Sequence, residues 1–229
     1  MSVEKRVSLW LKKQASFLLL LTVTLFVSAG SLGWTMGWVQ MGLYVFIVAF
    51  QAVVLIPRSP ELIAERSGYQ KGTKVWDLVI AGLAAALLPM VSWVVAGLDY
   101  RHSWTSEFPL GVRLAAIAIW LGGYFITVWA MSANPFFSAT VRIQDERGQS
   151  VSTGGPYRFV RHPGYVGAIL FQIMTPFLLN SWWALIPSAL SVVLYVVRTA
   201  LEDSLLRAEL EGYAAYSEAV RWRLVPGIW

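Results

Sequence analysis

"QASFLLLLTVTLFVSAGSLGWTMGWVQMGLYVFIVAFQAVVLIP", residues 14–57, contains no charged residue. A helix needs roughly 20 apolar residues to cross a bilayer. The run is therefore too long for one crossing, and the Gly30 to Gly37 region divides it into two. The same reading gives a third span over Leu78 to Leu98 and a fourth over Leu114 to Val141 that ends near Asn134 and Pro135. Pro163 to Val197 is again uncharged, and Asn180 with Ser181 is where it folds into two tightly connected spans. The expected fold is all-α: a polytopic membrane bundle of about six transmembrane helices, closed by a helical hairpin and an amphipathic tail helix. Residues 1–133 form four N-terminal spans, and residues 134–229 form a core of polar loop, hairpin and tail.

Composition agrees with this class. Hydrophobic residues make up 57% of the 229 and charged residues 14%, against about a quarter charged in a soluble domain, and mean hydropathy is positive. The excess of 18 Lys and Arg over 13 Asp and Glu is spread through every polar segment, so it forms no patch for nucleic acid. It follows membrane topology instead, because cytoplasmic loops keep their Lys and Arg. With the amino terminus inside, sixteen of the eighteen basic residues fall on the cytoplasmic side, leaving only Arg101 and Arg113 outside. Both termini are then cytoplasmic, as in a bacterial inner-membrane protein. Residues 1–29 also have the basic start and small-residue end of a signal peptide, but a second span follows almost at once, so they are read as the first span.

Cysteine is absent and the only histidines are His102 and His162, which excludes disulfides, thiolate nucleophiles and a histidine metal cluster. No metal is expected. G-x-G-x-x-G, P-loop and H-E-x-x-H patterns are missing too, so a Rossmann nucleotide site, a phosphate-cradling loop and a zincin have no support.

Polar chemistry concentrates in "GPYRFVRHPGYVG", residues 155–167, just before the fifth span. Gly154, Gly155 and Pro156 give a tight bend, while Pro163 suits the first turn of a helix and disfavours helix at His162. His162 thus stands at a helix N-terminus, where free N–H groups can receive an anion. The plain alternative is that Arg158, Arg161 and His162 anchor the span at the headgroups, with Tyr157 and Tyr165 as interfacial aromatics. Arg198 and Glu202, four residues apart at the end of the sixth span, share a helix face. They form either an ordinary ion pair or part of a site facing the first loop across the hairpin. Asp203 adds negative charge there, either for a cationic ligand or on a solvated face. Apolar residues recur over Ala200 to Val220, at Leu201, Leu205, Leu206, Leu210, Tyr213 and Tyr216, among charged ones, as in an amphipathic helix at the membrane surface that Gly212 breaks or bends.

The 155–167 motif, the two-span hairpin and "RTALEDSLLRAELEGYAAYSEAVRWRLVPGIW" (198–229) together resemble the isoprenylcysteine carboxyl methyltransferase family and the related phospholipid methyltransferases. "SPELIAERSGYQKGTKVWD" (59–77) resembles a loop of bacterial members. The resemblance implies S-adenosylmethionine in a cytoplasmic pocket closed by the C-terminal segment, and a tunnel to the bilayer for a lipophilic methyl acceptor. By position it places the cofactor against Gln149, Ser150, Val151, Ser152, Tyr157, His162, Pro163, Gly164, Tyr165 and Glu202. Arg198 faces the acceptor, and Arg198 with Glu202 carries catalysis. Asp203 stands where many relatives have a second Glu. The competing classes are an NADPH-dependent sterol or enone reductase with a broadly similar bundle, and a scaffold or transporter in which the motif only anchors helices.

Overall fold

The computed structural model describes residues 2–66 and 72–229, and all regular structure among them is helical. Lys71 and the middle of the 59–77 motif lie outside the described residues. Helix α1 (Val3–Ala29) starts at a Ser2 cap and ends at Gly30, whose left-handed φ of 64° turns its N–H back onto Phe26. Glycine is the residue that tolerates this stop. Helix α2 (Thr35–Leu55) follows, so the uncharged run divides in the Gly30 to Gly37 region. A short helix, α3 (Pro60–Glu65), then brings the chain to α4 (Val75–Gly82), which continues through a π-turn at Leu83–Leu87 into α5 (Leu88–His102). Pro89 has no N–H for the helical ladder, and an adjacent widened turn is one way a continuous helix accommodates that loss.

Helix α6 (Leu110–Ala133) ends at Asn134, with Pro135 next. Helices α7 (Pro163–Leu178) and α8 (Leu185–Glu209) form the hairpin, and α9 (Tyr213–Ala219) ends the regular structure. Five segments are long and apolar enough to cross a membrane: α1, α2, α4 to α5, α6 and α8. The expected fifth span is the shorter apolar helix α7 of 16 residues. The tail helix expected from Ala200 is not a separate element. Its first half is the uninterrupted end of α8, and Gly212 at φ 79° separates that from α9. The charged residues after Arg198 end the hydropathy signal without ending the backbone ladder.

One apolar cluster joins Leu21 and Leu25 of α1, Tyr44 of α2, Trp93 of α5, Trp120 of α6 and Leu178 of α7. Tyr44 sits edge-on to Trp93, Trp120 and Phe171, a favoured aromatic geometry. Two helix crossings depend on missing side chains. A Cβ on Gly167 would lie 2.3 Å from the Gly123 carbonyl oxygen and 2.2 Å from Thr127 Oγ1, and one on Gly97 would lie 1.9 Å from Ser28 Oγ. Such small-residue contacts let membrane helices pack closely where lipid offers no hydrophobic drive.

At one end of the bundle, Asp99 accepts from the Thr105 amide and hydroxyl at 2.7 Å and from Ser181, tying α5 to the α7–α8 turn. At the opposite, basic end, Arg142 reaches Glu65 at 2.7 Å, and Arg6 lies 3.8 Å from the same carboxylate. The loop after α6 is thereby fixed to α1 and α3.

Candidate functional site

At the basic end the helices enclose a cavity of about 310 Å³, within the usual range for small-molecule pockets. Its polar wall comes from the loop between α6 and α7. Gln144 is buried there. It donates to the Phe136 carbonyl and accepts from Arg147, while its own N–H reaches Gln149 Oε1 at 2.7 Å. Gly148, at φ 63°, allows the reversal. This self-bonded turn presents Gln149, Ser150, Val151 and Ser152 to the cavity.

The chain then bends at Gly155, whose φ is 55°, and a 3-10 turn over Gly155–Arg158 carries Tyr157 inward. Asn134 Nδ2 donates to the Tyr157 hydroxyl at 3.2 Å, and the Tyr216 hydroxyl donates to its carbonyl at 2.7 Å. Burial pushes the phenols of Tyr157, Tyr213 and Tyr216 upward, and the Asp203 charge adds to this at Tyr213. All three therefore stay protonated at neutral pH; Tyr213 and Tyr216 spend their protons on Asp203 and the Tyr157 carbonyl, which leaves the Tyr157 hydroxyl free to donate.

Pro163 begins α7 with His162 at the cap position, as the sequence predicts. Gly164, second in the helix, has no intrahelical acceptor for its N–H. Its missing side chain admits Phe137, since a Cβ would meet that ring at 2.6 Å. Tyr165 donates a hydroxyl hydrogen bond to Glu202, and the Arg198 guanidinium lies over its ring at 5.2 Å.

Of the expected site residues, Gln149, Ser150, Val151, Ser152, Tyr157, His162, Gly164, Tyr165, Arg198 and Glu202 all face this one cavity. Pro163 is buried beside it without lining it. Sequence reasoning missed several other wall residues: Arg66, Asn134, Phe137, Tyr195, Tyr213 and Tyr216. For Leu206, Leu210, Tyr213 and Tyr216 the apolar spacing is legible, but its direction is not. That stripe faces the cavity and its cluster with Tyr157, not the membrane surface.

Three expectations about charge need correction. Arg198 does not pair with Glu202. Its Nε and Nη2 meet Asp77 at 2.6 and 3.0 Å, and Nη2 also reaches the Ala139 carbonyl at 2.9 Å. Asp77 is fully buried and also accepts the Val141 N–H. Asp203 lies neither on a solvated face nor against the cavity. It is completely buried and accepts from Arg161 at 2.7 and 3.0 Å, Tyr213 at 2.9 Å and Arg223 at 2.9 Å, with His162 Nε2 at 3.3 Å. Arg161 is not a headgroup anchor, being 4% exposed. It also donates to the Val220 and Arg221 carbonyls, and the 161–162 backbone bonds Trp222 and Arg223. This latch holds the C-terminal segment against the start of α7. Arg158, by contrast, is exposed.

Five Arg and Glu side chains line the cavity. Arg142, Arg161 and Arg198 have carboxylate partners. Glu202 and Arg66 have none among the described residues, so the cavity presents one uncompensated anion and one uncompensated cation.

The wall also extends toward the bilayer. Ala85 lies eight residues beyond Asp77, which is about 12 Å of helix rise, and Thr127, Ala168 and Tyr195 line the same space from α6, α7 and α8. No group of three or more His, Cys, Asp or Glu that could hold a metal occurs among the described residues.

No curated protein matches the chain. Residues 115–208, from the second turn of α6 almost to the end of α8, match the model of the isoprenylcysteine carboxyl methyltransferase family. The matched segment supplies the polar loop, His162, Tyr165, Arg198 and Glu202. Over that segment this integral membrane protein is similar to the isoprenylcysteine carboxyl methyltransferase family.

Proposed function

We propose that the protein is an S-adenosylmethionine-dependent methyltransferase whose acceptor is a lipophilic molecule carrying a small nucleophilic group such as a carboxylate, with the cavity on the cytoplasmic side. The observation that carries this reading is Glu202. It is a carboxylate without a cationic partner among the described residues, facing a cavity whose other acidic neighbours, Asp77 and Asp203, are already neutralised.

The residues present fit the donor. Glu202 can receive an ammonium or ribose hydroxyls through charge-assisted hydrogen bonds. The Gly164 N–H at the start of α7 suits a carboxylate. The Tyr157 hydroxyl and the 149–152 segment offer donors and acceptors for the remaining polar edges. When bound, the cofactor supplies an electrophilic methyl on a sulfonium. A carboxylate acceptor would take that methyl with no proton to move, so no general base would be needed among the wall residues.

The protein's task is then to align and to exclude water. Tyr165 fixes Glu202 through its hydroxyl and supports Arg198 through its ring. Arg161, Asp203 and Arg223 hold the C-terminal segment over the site. The reach of the cavity to Ala85 and Thr127 supports an acceptor with an apolar tail.

Titration calorimetry of detergent-purified protein with S-adenosylhomocysteine tests this reading. Binding is expected, with a loss of at least about tenfold in Glu202→Gln, as for a charge-assisted bond. Undiminished binding in that variant, or binding of NADPH in place of S-adenosylhomocysteine, refutes it.

A further inference from the structure

Arg198 is the basic residue that family position assigns to the acceptor, yet its geometry argues against that role. A guanidinium recognises a carboxylate best through two parallel N–H bonds. The Nε and Nη2 edge of Arg198 is already bonded in this way to Asp77, and Nη2 also serves the Ala139 carbonyl. Its charge is neutralised and that edge of its fork is occupied, which leaves Nη1 as the nitrogen with no partner among the described residues.

Arg66, at the end of α3, is in the opposite condition. It lines the cavity, has no carboxylate partner among the described residues, and rests with its guanidinium 5.4 Å from the Phe137 ring centroid. The ionisable groups that act on it are Tyr124, Arg198 and Tyr195, on the membrane-spanning helices α6 and α8. Burial pulls its pKa down, a sign that the charge is poorly solvated where it stands. A partly desolvated cation facing a cavity gains most from an anion that enters without its own water. Glu202, the one uncompensated anion in the wall, faces Tyr165 instead.

We propose that Arg66 is the residue that receives the carboxylate of the methyl acceptor. This rests on the methyltransferase reading for its biological purpose, although the binding itself does not require it. Arg66 would hold the carboxylate, and the apolar chain would extend along the Ala85, Thr127 and Ala168 wall. Methylation removes the negative charge, so the ester loses its hold on Arg66 while keeping its affinity for lipid. Glu202 and Arg66 then divide the work, one receiving the cationic donor and the other the anionic acceptor.

The test uses the full chain in detergent, with cis-parinaric acid and its methyl ester as fluorescent probes and S-adenosylhomocysteine binding followed in parallel. The natural chain is expected to bind the acid more tightly than the ester. Arg66→Gln should weaken the acid by more than about tenfold, leave the ester within twofold, and leave S-adenosylhomocysteine affinity unchanged. Arg66→Lys, which keeps the charge but not the fork, should recover part of the loss, and unchanged thermal unfolding of both variants shows that the fold is intact. Equal binding of acid and ester by the natural chain overturns the proposal, as does an unaltered acid affinity in Arg66→Gln. A loss confined to S-adenosylhomocysteine reassigns Arg66 to the donor and also overturns it. Failure of S-adenosylhomocysteine to bind the natural chain counts against the methyltransferase reading alone, because the acid-to-ester ratio is measured separately.

Discussion

Replacing Asp203 with Asn should release the C-terminal segment. The substitution keeps shape and one acceptor oxygen but removes the charge that faces Arg161, His162, Tyr213 and Arg223. Arg161 and Asp203 side chains are 2% and 0% exposed, and breaking one side of a buried pair costs about 3–5 kcal/mol because the other charge stays buried. Arg223 is 28% exposed, so its share is below about 1 kcal/mol. Arg161 retains its carbonyl partners on Val220 and Arg221, which favours the lower figure of about 3 kcal/mol. For a chain of this size that corresponds to about 6–12 °C in unfolding midpoint. Tryptophan fluorescence during heating in detergent gives the midpoint, and hydrogen exchange over residues 210–229 shows whether the segment opens first. The variant Arg161→Gln with Asp203→Asn should be less destabilised than the sum of its parts, since neither charge is then left alone. A shift of less than about 3 °C in Asp203→Asn, equivalent to about 1 kcal/mol, would falsify the latch.

Two further outcomes follow from packing and burial. Gly167→Ala places a Cβ 2.3 Å from the Gly123 carbonyl oxygen and should cost about 1–3 kcal/mol, read as a lowered midpoint; an unchanged midpoint refutes the close α6–α7 crossing. Tyr157, Tyr213 and Tyr216 have pKa values raised by burial, so above pH 10 the unfolded chain loses protons that the folded chain keeps. Stability is therefore fully present below about pH 10 and falls as pH rises from there toward the folded values. Alkaline unfolding should show this slope, and Tyr213→Phe should flatten it.

The membrane fold was legible because it depends on long apolar runs and a few backbone stops. Residues 14–57 were too long for one helix, Gly30 offered a left-handed turn, and Pro163 marked the start of α7. The gathering of the polar loop with the end of α8 was legible for a related reason, since a short hairpin must return its two ends to the same side. What stayed hidden was direction. Glu202 and Asp203 are adjacent acids, but a helix rotates about 100° per residue, which turns one to the cavity and the other into the core. Asp77 stood at the edge of an apolar run and gave no sign of Arg198, 121 positions away. Arg161 looked like any arginine at a membrane boundary, because local sequence does not say which way such a side chain points. Arg66 sat in a motif noted for resemblance, and only its lack of a carboxylate partner among the described residues distinguishes it.

The shortness of α7 has a consequence for the surrounding lipid. Its 16 residues rise about 24 Å, roughly 6 Å less than a typical hydrocarbon layer. Its far end is pinned near Asp99 through Ser181, so the shortfall is taken up at His162. Wherever this end of the bundle meets lipid, a mismatch of this kind is met by bilayer thinning, snorkelling side chains or association with another chain. Acyl-chain length then becomes a variable that acts on the site: thick bilayers strain this corner of the bundle, and thin ones fit it.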